Sequence, residues 1–109
     1  MAKKIQAKKS TKRAPALPYV IIRASGAGCH AGELVSERGQ RIELRNARRL
    51  WRWYGAQTLS ELAVYGASRP AECRFAPAVA KQVILDACEI IYCQPAGEKM
   101  IRECGEWRA

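Results

Sequence analysis

The chain has 109 residues, 49% of them hydrophobic, enough for one domain with one modest core. Its formal charge is +9, but Lys3, Lys4, Lys8, Lys9, Lys12 and Arg13 supply +6 of it, leaving 13 basic and 10 acidic residues in the other 96, a net of +3. A secretory signal is excluded because no apolar stretch follows the lysines, and a membrane helix because no apolar run approaches roughly 20 residues. Cys29, Cys73, Cys88, Cys93 and Cys104 are odd in number and irregularly spaced, which argues for reduced thiols in a cytoplasmic protein rather than a disulfide scaffold.

Residues 1–18 read as a flexible basic leader closed by Pro15 and Pro18, able to make weak nucleic-acid contact through its lysines by counterion release. Residues 19–109 read as a single α+β domain. Tyr19 to Ala24 is β-branched and short, hence a strand. Ser25–Gly28 is a turn or bulge, and Cys29 to Ser36 a second strand. Arg38-Gly39 makes a hairpin turn. Gln40 to Asn46 then alternates, Ile42 and Leu44 inward, and Arg48 to Tyr54 follows as a further strand or a bent continuation. Gly55 breaks the sheet. Thr58-Leu59-Ser60-Glu61 fits a capping box, with Leu59, Leu62 and Ala63 as one apolar helical face ending at Gly66.

Residues 67–78 read as a loop with Pro70 and Pro77, in which Phe75 is the one large apolar side chain, either a core anchor or a stacking residue. Val79 to Cys93 reads as one long bent strand because of its β-branched runs; a helix with Val83, Ala87, Ile90 and Ile91 on one side is the alternative. Pro95 opens a last helix with Met100, Ile101 and Cys104 as its buried stripe and Arg102 off that stripe, free to work. Trp107 should pack back on the sheet. The expected architecture is a small antiparallel sheet of four to five strands with two short helices.

The chemistry is concentrated in Arg48-Arg49-Leu50-Trp51-Arg52-Trp53-Tyr54-Gly55. Guanidinium forks grip phosphates, and both guanidinium planes and aromatic rings stack on bases. Such a segment suits an anionic ligand with a flat ring. As a strand it would put Arg49, Trp51 and Trp53 on one face and Arg48, Leu50, Arg52 and Tyr54 on the other. The tryptophans would then serve mostly core or subunit interface, with Arg49 at the edge of a pocket. Catalytic constellations are missing. His30 is the one histidine, and in a strand it faces away from Cys29, so neither a zinc site nor a nucleophile–base pair is expected. Gly26-Ala27-Gly28 is too short for a dinucleotide fingerprint. A binding protein without catalysis, metal or cofactor is the reading.

Tyr19-Val-Ile-Ile-Arg23, Ser25-Gly-Ala-Gly-Cys-His-Ala-Gly-Glu-Leu34, Arg45-Asn-Ala-Arg-Arg-Leu-Trp-Arg-Trp-Tyr-Gly-Ala56, Leu59–Ala63, Pro70–Phe75 and Glu106-Trp107-Arg108 form a spaced pattern. Over residues 19–109 this pattern resembles a domain-of-unknown-function family of small phage and prophage proteins. Within it, it is similar to the first family of Thoeris anti-defence sponges. That resemblance implies a protein acting in the cytoplasm of a bacterial host. It would sequester cyclic ADP-ribose signals, or cyclic di- or trinucleotides of the CBASS system, without cleaving them. It implies dimers assembling to a hexamer with pockets between subunits. It further implies that a purine stacks between Phe75 and Arg102, with Arg49, or alternatively Arg48, on phosphate. Trp51 joins these as a candidate contact. The basic leader departs from the compact family pattern. The competing readings are a single-stranded nucleic-acid binder using the same Arg/Trp strand, and a virion accessory protein in which these residues only pack.

Overall fold

The computed structural model describes residues 16–108, so the leader lysines Lys3, Lys4, Lys8, Lys9 and Lys12 lie outside the described residues. The chain is α+β. Its elements are β1 (Tyr19–Ala24), β2 (Gly28–Arg38), β3 (Arg41–Arg52), α1 (Leu59–Tyr65), a 3-10 turn (Pro70–Glu72), β4 (Arg74–Phe75), β5 (Val79–Ile84), β6 (Ala87–Tyr92) and α2 (Pro95–Glu103). The antiparallel sheet runs β4-β3-β2-β1-β6, and β5 shares the outer edge of β3 with β4.

Arg41–Arg52 is one continuous strand, β3, so Arg48 onward is the bent continuation rather than a further strand. The sheet nevertheless has six strands rather than the expected four to five, for two physical reasons. The supposed loop 67–78 contributes the two-residue β4, which pairs Phe75 with Leu50 and Arg74 with Arg52. The segment 79–93 is extended as expected but breaks at Leu85-Asp86, giving β5 on the edge of β3 and β6 on the edge of β1. Two residues cannot span a flat sheet of this width, so the sheet curls until its edges meet at that corner. Asp86 stitches the corner: its backbone carbonyl accepts from Ser25 N–H at 3.1 Å and its carboxylate accepts from Gly26 N–H, while Ala87 N–H donates to the Gln40 carbonyl at 3.1 Å.

Curling buries β1 on both faces. Val20, Ile22 and Ala24 point inside the curl with Leu34, Ile42, Leu44, Ala47, Ile84 and Ala87. Tyr19 and Ile21 point outward, where α1 and α2 cover them together with Ala31, Leu50, Phe75, Leu62 and Ile101. Two irregularities in β3 decide which side chain goes where. Ala31 pairs with Arg48 but Glu33 with Arg45, so β3 carries an extra residue there, and Asn46 takes φ 54° to fit it. Leu50 pairs with Phe75 but Arg52 with Arg74, so Trp51 is an extra residue in turn. Each bulge reverses the in–out alternation.

The helices follow their sequence signals. Thr58 Oγ1 accepts from Glu61 N–H at 3.0 Å, and Glu61 Oε1 reaches back to Gln57 N–H at 3.0 Å. Gly66, at φ 78°, closes α1 by donating to the Leu62 carbonyl. The buried face of α2 is Gly97 and Ile101, continued by Cys104 with Met100 half-buried. Gly97 is needed because a Cβ there would collide with the backbone of Leu62 and Ala63. Among the described residues no helix is long and apolar enough to cross a membrane.

Gly97→Ala should therefore force α1 and α2 apart and lower stability by about 1–3 kcal/mol, the usual cost of overpacking. Urea denaturation checks this: the midpoint should fall with little change in slope, whereas an unchanged midpoint would mean the two helices are not in close contact.

Candidate functional site

The Arg48–Tyr54 segment ends β3, and its two bulges deal its side chains to different places. Arg48 goes inward. It is 4% exposed and spends all five guanidinium N–H groups on backbone carbonyls. Nε donates to Ala76 at 2.8 Å, Nη1 to Ile101 and Cys104 at 2.7 Å each, and Nη2 to Phe75 at 3.2 Å and Gly105 at 3.3 Å. Two of these carbonyls belong to the C-terminal end of α2, where the helix dipole also favours a cation. Nothing is left over for a phosphate, so Arg48 holds the structure together rather than a ligand.

Arg49 and Trp51 remain at the surface, Trp51 with 51% of its area exposed. With Gly26, Ala27, Gly28, Cys29, Leu50 and Trp53 they line a cleft of about 350 Å³ beside the β1–β2 turn. Trp51 lies flat against Trp107, ring centroids 5.0 Å apart and planes 14° from parallel. Arg52 sits over Trp51 at 5.1 Å, and Arg74 lies 5.4 Å from Trp51 and 5.3 Å from Trp107. An atom equidistant from two stacked rings lies beside the stack rather than on its axis. Trp107 does return to the sheet: its N–H donates to the Phe75 carbonyl at 2.9 Å, and Glu106 bridges to Phe75. Trp51 and Trp53 do not share a face. The bulge at Trp51 turns Trp53 toward the helix-side core beside Leu50, leaving Trp51 outside.

Phe75 and Arg102 are not brought together at any surface. Phe75 is fully enclosed beneath α1 and α2, with the Arg48 guanidinium 5.8 Å from its ring, so in this arrangement it acts as an anchor and shows no face to a ligand. Arg102 lies off the buried stripe of α2, as the helical spacing requires, but it is not free. Its Nε donates to Glu98 at 2.8 Å, its Nη2 pairs with Glu33 at 3.0 Å, and its guanidinium covers the Tyr19 ring at 4.4 Å. Burial alone would raise the Glu33 carboxyl, but hydrogen bonds from Arg45, Arg102 and Asn46 outweigh it and hold the group below the usual carboxylate range. Burial pushes the Tyr19 phenol up to about 12.

Cys29 and His30 point to opposite faces of β2, Cys29 toward the helix-side cluster and His30 into the fully buried curl. Burial pushes the Cys29 thiol up, away from the thiolate a nucleophile needs. His30 Nε2 lies 2.8 Å from the Ala27 carbonyl, which fixes the proton on Nε2, because two lone pairs at that distance would repel. Nδ1 is buried without a partner. Desolvation lowers the His30 pKa from 6.5; the Ala27 hydrogen bond and Asp86 oppose this, and Arg49 reinforces it. The Trp51–Trp107 stack, with Arg74 beside it, was hidden from sequence reasoning. Its partners are far apart in the chain, and the available signal was the third tryptophan, near the end.

The chain belongs to the family defined by a domain of unknown function, DUF6948, whose model matches residues 17–101. No curated protein and no solved structure matches it.

Two outcomes follow from the buried cations and bases of this region. Arg48→Met should cost about 3 kcal/mol or more, because it leaves five enclosed carbonyls without a donor and each unsatisfied buried acceptor costs about 1–3 kcal/mol. Arg48→Lys, with three donors for five carbonyls, should not restore wild-type stability; a thermal melt equal to wild type for either variant would refute the anchoring role. His30 has a folded pKa below its ordinary 6.5, so its neutral form is the one the fold prefers. Its contribution is complete above pH 6.5; below that, the unfolded chain takes up a proton that the folded chain refuses, and stability falls. The urea midpoint of the wild type should drop as pH is lowered from about 7 to about 5. His30→Gln, which can still donate to Ala27 but does not titrate, should remain level over that interval.

Proposed function

We propose that this protein binds and sequesters a cyclic nucleotide signal without cleaving it. In this reading it is a phage-encoded anti-defence sponge for cyclic ADP-ribose isomers or cyclic di- and trinucleotides, acting in the bacterial cytoplasm as an oligomer. The observation that carries the reading is the exposed half of the Arg48–Gly55 segment. Arg49 and Trp51 line a cleft beside the glycine turn 26–28, and Arg52 and Arg74 flank the ring of Trp51. A cyclic nucleotide offers a flat base and a bridging phosphate group. Stacking on Trp51 with charge-assisted hydrogen bonds from Arg49 answers both, and neither contact requires a general base. The resemblance in the spaced Arg, Trp and Gly positions supports the same ligand class. Arg48 and Phe75 support the site from behind, by fixing the strand end that presents Arg49 and Trp51. Arg102 lies in its ion-pair network outside this cleft, beside a separate concavity on α2 that it lines with Pro95, Glu98, Lys99 and Glu103.

Stacking is worth roughly 1–3 kcal/mol per base, and a hydrogen bond to a charged group about 1.5–3 kcal/mol. Calorimetry against a panel of cyclic ADP-ribose isomers and cyclic oligonucleotides should therefore give binding in the micromolar range to at least one. Trp51→Ala and Arg49→Ala should each weaken it about tenfold or more. Heat denaturation should release the nucleotide unchanged. Absence of binding at micromolar protein to every member of the panel would sink the proposal, as would release of a hydrolysed product.

A further inference from the structure

We propose that a second site lies beside the cleft, a track for single-stranded nucleic acid along the outer rim of the sheet. Cations and rings alternate along it. The Arg69 guanidinium lies over the Tyr54 ring at 5.7 Å. The Tyr54 hydroxyl accepts from Arg52 Nη1 at 3.2 Å, and Arg52 in turn covers Trp51. Trp51 stacks on Trp107, and Arg74 stands beside both indoles. Trp107 keeps 45% of its area exposed and, with Tyr54, Ala71, Glu72, Cys73 and Arg74, lines a concavity of about 410 Å³. The residues lining this concavity are all different from those of the Arg49 cleft.

The guanidiniums on this rim are not consumed by the fold, in contrast to Arg48. Among the described residues Arg74 makes no side-chain hydrogen bond or ion pair. Arg69 has one exposed partner, Glu72 at 3.6 Å, and the neighbouring Arg108 pairs with Glu106 at 3.6 Å. Exposed pairs of this kind are worth little and exchange readily for phosphate. The rim therefore carries Arg52, Arg69, Arg74 and Arg108 against Glu72 and Glu106, a positive edge with three rings set into it. A single cyclic ligand uses one ring and one or two charges. An open edge that repeats ring and cation fits a chain that repeats base and phosphate. The bases must be unpaired for their faces to reach the rings, which selects single strands over duplex.

The test uses the full chain and dT oligomers of increasing length, from a dinucleotide to a decanucleotide, followed by tryptophan quenching and fluorescence anisotropy. Affinity should rise over the first few nucleotides and then level. Quenching should accompany binding, because a base stacks on an indole. Affinity should fall with salt by about 0.7 log unit per log unit of salt for each phosphate held. Trp107→Ala and Arg69→Ala should each weaken oligomer binding about tenfold, and Arg69→Ala, which lies away from Trp51, should leave cyclic nucleotide binding as in the wild type. Trp107→Phe should restore most of the loss, which separates stacking from a folding defect. Arg49→Ala should do the reverse, sparing the oligomer. Binding of duplex as tight as single strand, binding without quenching, or a Trp107→Ala protein that binds dT like the wild type would each overturn the track and point to plain charge attraction. Cyclic nucleotide binding can succeed or fail independently of these outcomes.

Discussion

The buried Arg48 guanidinium is the constraint on which the rest of this fold depends. Removing such a group from water is costly unless every N–H finds an acceptor in good geometry. Here five backbone carbonyls do so, drawn from β4, the residue after it, the end of α2 and the turn beyond. No carboxylate is among them, so the charge is balanced by dipoles, including those at the end of α2. Carbonyls are fixed in direction by their backbone. A planar fork satisfied by five of them therefore sets the relative positions of β3, β4 and α2 more tightly than apolar packing could.

That positioning extends to the surface. Once α2 ends against Arg48, the chain after Cys104 runs along β4, where Glu106 bridges to Phe75 and Trp107 N–H bonds to the Phe75 carbonyl. Only then does Trp107 meet Trp51. Three arginines within five residues thus have three fates. Arg48 organises the interior, Arg49 faces the cleft, and Arg52 covers an exposed ring. The residue type says what each could do; the two bulges decide which of them does it.

Much of this was legible in the sequence and some was not, and the division follows the range of the forces involved. The β-branched Tyr19–Ala24, the capping box at Thr58 and the apolar stripe of α2 are set by neighbours within a turn or two, and they appear where the residue types put them. The break of alternation near Asn46 was visible as a further strand or a bent continuation after it, and the structure has the continuation, with a bulge at that point. The corner at Leu85-Asp86 was not visible, because its cause is distant: β5 and β6 are each claimed by a different edge of the sheet. The α-helical spacing placed Arg102 outside the core stripe but could not reveal Glu33, which approaches from β2. Phe75 could be read either as an anchor or as a stacking residue. Its pairing with Leu50 under the helices makes it an anchor.

Packing alone does not account for the aromatic rim. Apolar rings left at the surface forgo burial, and two indoles half in water leave a good deal of favourable transfer energy unrealised. The bulge that leaves Trp51 outside turns Trp53 toward the core. The bridge at Glu106 brings a second ring to Trp51 from the far end of the chain. Interior demands are already met by Arg48 and Phe75, so the exposed Trp51–Trp107 stack adds least to the core. A surface feature built by two independent backbone irregularities, and flanked by arginines whose donors are largely unspent, is one that ligand contact can account for and packing alone does not.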